Sequence, residues 1–133
     1  MCPVSDRDAM IAGMSPALDA KTYVFASVED EELLPRAIAM IREAEGLSLI
    51  LPLETAAELG LPVDLPMRRI ILNVHSALDG VGLTAAVSAT LAGLGIPCNV
   101  VAGFHHDHVF VPADRADEAL GALRARAAVG REG

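Results

Sequence analysis

Arg69-Ile70-Ile71-Leu72-Asn73-Val74-His75 runs into Ser76-Ala77-Leu78-Asp79-Gly80-Val81-Gly82, and a helical pattern starts at Leu83. Ile70, Leu72 and Val74 fall on one face of the alternating run, with Arg69, Ile71, Asn73 and His75 on the other. That is the pattern of a half-buried strand in an antiparallel sheet covered by helices on one side. A loop that ends in glycine at a helix start presents free backbone N–H groups, a ready site for a small anion such as a carboxylate. Gly80 and Gly82 carry no side chain, so a ligand can approach the backbone closely. The plainer reading of the same glycines is a tight strand-to-helix turn.

Downstream, Leu83, Val87, Leu91 and Leu94 form a single apolar stripe on a helix that Gly93 and Gly95 end and Pro97 keeps from restarting. Cys98 to Ala102 is expected as a strand, Gly103 to Asp107 as a turn and His108 to Val111 as the returning strand. Asp114 is the expected N-cap of a last helix with Ala116, Leu120, Leu123 and Ala127 on its buried stripe, and the tail after Val129 is expected to fray. Strand, helix, strand, strand, helix is a split βαβ, ferredoxin-like order.

Upstream the signals are weaker. A short helix is expected over Asp6 to Met14 and a strand over Thr22 to Val28. Strands at Ala37 to Glu43 and Leu47 to Leu51 flank a turn at Gly46, and a helix over Glu54 to Leu59 stops at Gly60. The proline-bearing stretch from Gly60 to Pro66 is the expected link between two halves, 1–66 and 67–133. The expected fold class is α+β, with ferredoxin-like tandem halves and helices packed on one face of antiparallel sheets.

A chain of 133 residues with 53% hydrophobic and 21% charged residues is of the folded type. Aromatics at 3% are too sparse for base-stacking platforms, and a net charge of -8 opposes attraction to nucleic acid or anionic membranes. Glu29-Asp30-Glu31-Glu32 is expected as a solvated loop. Cys2 and Cys98 have no metal-type spacing, and no signal-peptide pattern opens the chain, so the expected setting is the reducing cytoplasm. Gly80 to Phe104 lacks charge and is long enough to span a bilayer, but Gly93, Gly95 and Pro97 interrupt it, which favours a helix followed by a buried strand.

Two rival chemistries use the same region. Gly80-x-Gly82-x-x-Ala85 satisfies the dinucleotide fingerprint, but no acidic residue follows the second strand and the chain turns straight back as a hairpin. His105-His106-Asp107-His108, with His75, offers imidazoles; His106 and His108 could share a strand face and chelate zinc or nickel. With Asp107 they could supply the general base of a hydrolase, although no nucleophile stands in an elbow-type motif. The plainer reading is a polar hairpin, without metal.

Asp79-Gly80-Val81-Gly82-Leu83, followed by Leu91-Ala92-Gly93-Leu94-Gly95-Ile96 and Asn99-Val100-Val101, resembles the ACT domain, in which a strand runs into an Asp-x-Pro-Gly-type loop, a helix and a Gly-Ile-Asn-Ile-like second strand. Val81 stands where that family often has proline, and Pro97-Cys98 is an irregularity before Asn99. Val111-Pro112-Ala113-Asp114 with Ala119, Leu120 and Leu123 resembles the family's last strand and helix. Over its length the chain is similar to small stand-alone bacterial proteins with two ACT-like halves. The resemblance implies a non-catalytic, cofactor-free module that binds an amino acid or similar metabolite at an interface between paired domains. It implies a site made of Asp79, Gly80, Val81, Gly82 and Leu83 facing Asn99. The N–H groups of Gly82 and Leu83 would hold an α-carboxylate and Asp79 an α-ammonium. The mixed face of the strand from Arg69 to His75 suits a second copy, so a homodimer is expected; the competing reading is an interaction module that needs no ligand.

Overall fold

The computed structural model describes residues 7–74 and 82–132. Their elements are α1 (Arg7–Ala12), β1 (Pro16–Val28), a 3-10 helix (Glu31–Arg36), β2 (Ala39–Glu43), β3 (Gly46–Pro52), α2 (Leu53–Glu58), β4 (Met67–Leu72), α3 (Leu83–Ala92), β5 (Asn99–Ala102), β6 (Asp107–Pro112), a 3-10 turn (Ala113–Arg115) and α4 (Ala116–Glu132). They form an α+β arrangement of ferredoxin-like character. They fall into two compact units, one holding the described residues up to Asp19 and from Arg68 onward, the other residues 20–67.

In the first unit the strand order is β1-β4-β6-β5, where β1 contributes its opening residues. β5 and β6 are antiparallel, with Asn99 opposite Phe110 and Val101 opposite His108. Helices cover one face. Ile70 and Leu72 of β4 and Val109 and Val111 of β6 pack there with Leu83, Val87 and Leu91 of α3, Leu123 of α4, and Met10 and Ile11 of α1. Ala116, Ala119 and Ala127 are almost wholly buried, so α4 lies close against its neighbours. β4 ends at Leu72 rather than His75, because the Asn73 N–H donates to Met14 O at 2.8 Å and its Nδ2 to Ser15 O at 3.0 Å. These bonds tie the end of β4 to the turn before β1, where Ser15 holds a positive φ of 40°.

Leu94 departs from the expected stripe. α3 ends at Ala92, and Leu94 is 45% exposed. The chain closes in a Schellman turn: Gly95, at φ 69°, donates to Ala92 O, and the Ile96 N–H donates to Leu91 O at 3.0 Å. Ile96 is thereby folded back into the core in place of Leu94. Cys98 precedes β5 and only partly packs on the core. Asp114 is not the N-cap expected of it. Pro112 holds the cap position of a 3-10 turn and no side chain caps it, so α4 starts at Ala116 and continues past Val129.

The second unit has the order β2-β3-β1, antiparallel throughout, with Tyr23 opposite Pro52 and Ile41 opposite Ser48. Its core is Val24, Leu47, Leu49, Leu51 and Ala56 beneath the 3-10 helix and α2. The acidic run is ordered rather than a loose loop. Asp30 accepts from the Glu32 N–H at 2.9 Å, Arg42 donates to Glu31 and Arg36 to Glu58. The other sheet face leaves Phe25 45% and Ile41 62% exposed. Among the described residues no helix is long and apolar enough to cross a membrane.

Candidate functional site

Asp79, Gly80 and Val81 lie outside the described residues, as do His75 to Leu78. Gly82 is the N-cap of α3, in the left-handed region at φ 103°, with no side-chain cap and no acidic residue in the first turn. Its carbonyl accepts the Ala86 N–H at 2.9 Å. Leu83 turns its side chain into the core, so its backbone alone is left for a ligand. Among the described residues, no side chain caps the start of α3 and no acidic residue stands in its first turn, unlike the 3-10 helix at Glu31, where Asp30 caps and Glu31 and Glu32 add negative charge. Asn99 opens β5, exposed, opposite Phe110. The described residues therefore join Gly82 and Leu83 at one helix start and place Asn99 on a terminal strand of the unit.

On the sheet face turned away from the helices, Arg69 donates from Nε and Nη2 to Asp19 Oδ2 at 2.9 and 2.6 Å, with the two side chains only 21% and 14% exposed. Arg68 donates to the Asp19 carbonyl at 3.2 and 2.7 Å. Nothing in the local sequence around Asp19 signals this pair; it forms because β1 and β4 are neighbours.

The β5–β6 turn is closed by the Gly103 N–H donating to His106 O at 2.9 Å. A Cβ on Gly103 would stand 2.8 Å from that oxygen and 3.1 Å from His108 Nε2, so the His108 ring occupies space a side chain there would need. His105 is exposed and meets Phe104 edge-on, with ring centroids 5.2 Å apart. Nδ1 of His106 and Nδ1 of His108 are buried without a hydrogen-bond partner. Burial first, then the positive charge of Arg69 and the neighbouring His106, hold His108 below its ordinary 6.5, against the opposing pull of Asp107. The unfolded chain therefore takes up this proton at higher pH than the folded one. His108 contributes stability that is complete above about 6.5 and is lost as the pH falls below it, through the folded-state value. Urea unfolding of the protein and of His108→Gln between pH 8 and 5 should show the steeper acid loss in the unsubstituted protein; parallel pH profiles would contradict this.

Among the described residues no three His, Cys, Asp or Glu side chains converge as metal ligands. In the other unit an open cavity of about 490 Å³ is lined by Glu29, Glu31, Arg42, Glu43 and Glu45, which suits a cation rather than a carboxylate. A smaller one of about 330 Å³ lies between Lys21, Thr22, Pro52 and Glu54. Neither contains a residue of the expected ligand site, though the larger one is lined by Glu29 and Glu31 of the acidic run.

Two family models match the chain in tandem, both described as ACT domain, over residues 4–68 and 65–125. A Vibrio cholerae structure, described as a protein of unknown function and possible transport protein, is 44% identical, with 87% of this chain and 92% of that one covered at a TM-score of 0.79. An Agrobacterium tumefaciens structure at 20% identity covers 84% of this chain and 87% of its own, with a TM-score of 0.66. The regulatory subunit of aspartate kinase from Thermus flavus, 14% identical, shares the fold at a TM-score of 0.61 over 84% of this chain and 95% of that one. No functionally curated protein matches the sequence. The chain belongs to the ACT-domain family, as a tandem of two of its regulatory, non-catalytic domains.

Proposed function

We propose that the protein is a cytoplasmic sensor that binds an amino acid or a similar small metabolite at an inter-domain or dimer interface, with 1–66 and 67–133 as its two ACT halves. The site comprises the loop Asp79, Gly80, Val81, Gly82 and Leu83 with the facing strand around Asn99. The observation that carries the reading is the start of α3, where Gly82 at φ 103° leaves the helix N-terminus without a side-chain cap or an acidic residue. A carboxylate would accept from the backbone N–H groups at this helix start. Binding would regulate by favouring the ligand-competent arrangement over its alternative.

Thr84 is exposed in the first turn of α3, which allows a test that separates ligand binding from folding. Thr84→Asp should stabilise the ligand-free protein by about 0.3–1 kcal/mol through the helix dipole. It should at the same time weaken an amino acid that brings its own carboxylate there. The measurement is a thermal-shift series against the twenty amino acids, in which a ligand confined to the folded state raises Tm with its concentration. An amino-acid shift that survives Thr84→Asp undiminished would place the site elsewhere. A second reading, a homodimeric interaction module without ligand, draws on the exposed Phe25 and Ile41 face. It expects self-association that no amino acid alters.

A further inference from the structure

In the second unit, the face of the β2-β3-β1 sheet turned away from its core is apolar over its middle and acidic at the β2–β3 turn. Side chains opposite one another across paired strands share a face. Phe25 stands opposite Ile50 and Ile50 opposite Ala39, while Ser27, Ser48 and Ile41 form the next row. Val24, Leu47, Leu49 and Leu51 have the other parity and fill the core, so these two rows look away from it. Phe25 and Ile41 are well exposed, with Ile50 packed flush on the strand between theirs. Among the described residues β2 is an end strand of the sheet, so Ile41 is open to approach from the side as well as from the face.

The same face runs along β2 to Glu43, which accepts from the Ser48 hydroxyl. There it meets the open cavity of about 490 Å³, lined by the carboxylates of Glu29, Glu31, Glu43 and Glu45 and by the Arg42 guanidinium. Arg42 is already bonded to Glu31, so the cavity keeps an excess of negative charge. An aromatic and an aliphatic anchor beside a carboxylate-lined hollow complement a chain that carries apolar and cationic side chains together. We propose that this face docks a basic segment of another protein, with a Lys or Arg side chain in the cavity and adjoining apolar side chains over Phe25 and Ile41. Covering the two anchors supplies the affinity, and the carboxylates set orientation and encounter rate. A second copy of this unit is a poorer match. Residues 20–67 hold nine acidic side chains against Lys21, Arg36 and Arg42, and both arginines are already bonded within the unit, to Glu58 and Glu31. Pairing the face with itself sets like charge against like. Nucleic acid and anionic lipid are repelled by the net charge of -8.

The test is fluorescence anisotropy of the full chain with a labelled peptide of alternating leucine and lysine. Leucine–glutamate and serine–lysine peptides of the same length are the controls. Saturable binding of the leucine–lysine peptide that weakens as salt is raised is expected, with both control peptides bound more weakly. Ile41→Thr, and separately Glu29→Gln with Glu45→Gln, should each lower its affinity about tenfold. Asp64→Asn with Asp117→Asn removes as much charge from exposed positions elsewhere and should leave the affinity unchanged. An equal loss in that control pair would show general attraction to an acidic protein and overturn the site. So would a serine–lysine peptide bound as tightly as the leucine–lysine one. A concentration-dependent dimer that excludes the peptide and is lost in Ile41→Thr would give the face to a second copy and overturn the proposal too. The exposed glutamate pair decides the matter even if Ile41→Thr folds poorly. None of these outcomes depends on whether an amino acid binds at α3.

Discussion

Leu91→Ala is expected to destabilise the protein by about 3 kcal/mol, within the 2–5 kcal/mol typical of emptying a fully buried leucine site. Leu91 is wholly buried, and its carbonyl accepts the Ile96 N–H that closes the Schellman turn. The surrounding positions are held by β4, β6 and the helices, so the cavity cannot collapse cheaply. Leu94→Ala is the informative control. By sequence spacing the two leucines are equivalent members of one stripe, but Leu94 is half-exposed beyond the helix end, and its loss should stay within about 0.5 kcal/mol. Urea unfolding midpoints at constant slope measure both. Equal losses would mean that the helix continues through Leu94 and that the turn at Gly95 is wrong.

Arg69→Met should cost about 2 kcal/mol, because it removes the guanidinium that donates twice to the Asp19 carboxylate in a site where neither side chain is well hydrated. The penalty comes mainly from a poorly solvated charge stripped of its cation rather than from the intrinsic strength of the pair. Adding Asp19→Asn to Arg69→Met should therefore recover most of the loss, a coupling that a double-mutant cycle reads directly. A double variant no better than Arg69→Met would show that methylene packing of Arg69, not its charge, matters. Arg68 donates only to the Asp19 carbonyl, a group that survives any change at position 19, so it anchors the strand backbone independently.

The helix-and-strand alternation of the second half was legible because its periodicities are local. Ile70, Leu72 and Val74 alternate, and Leu83, Val87 and Leu91 recur at helical spacing; all six are buried as that spacing requires. The turn glycines were legible too, since Gly46, Gly60, Gly82 and Gly95 all adopt positive φ, a region other residues rarely enter. Element ends were less so. Asp114 looks like a cap by residue type, but Pro112 and the 3-10 turn take that position instead. The acidic stretch around Glu31 looks like a solvated loop by charge alone, because the arginine that pairs with Glu31, Arg42, sits in another element, and Arg36 at the end of the same 3-10 helix reaches instead to Glu58 of α2.

By itself the sequence determined the class of the fold, the order of its elements and the glycine-started helix on which the ligand proposal rests. All of these depend on backbone preferences and on apolar periodicity within a dozen residues. Only the tertiary structure decided that α1 and the opening of β1 belong with the C-terminal elements. It alone brought Asp19 against Arg69 across fifty residues of chain and left two histidine nitrogens of the β5–β6 hairpin buried without partners. Strand neighbours and burial are set by contacts between segments distant in sequence, and no local pattern encodes which segments will meet.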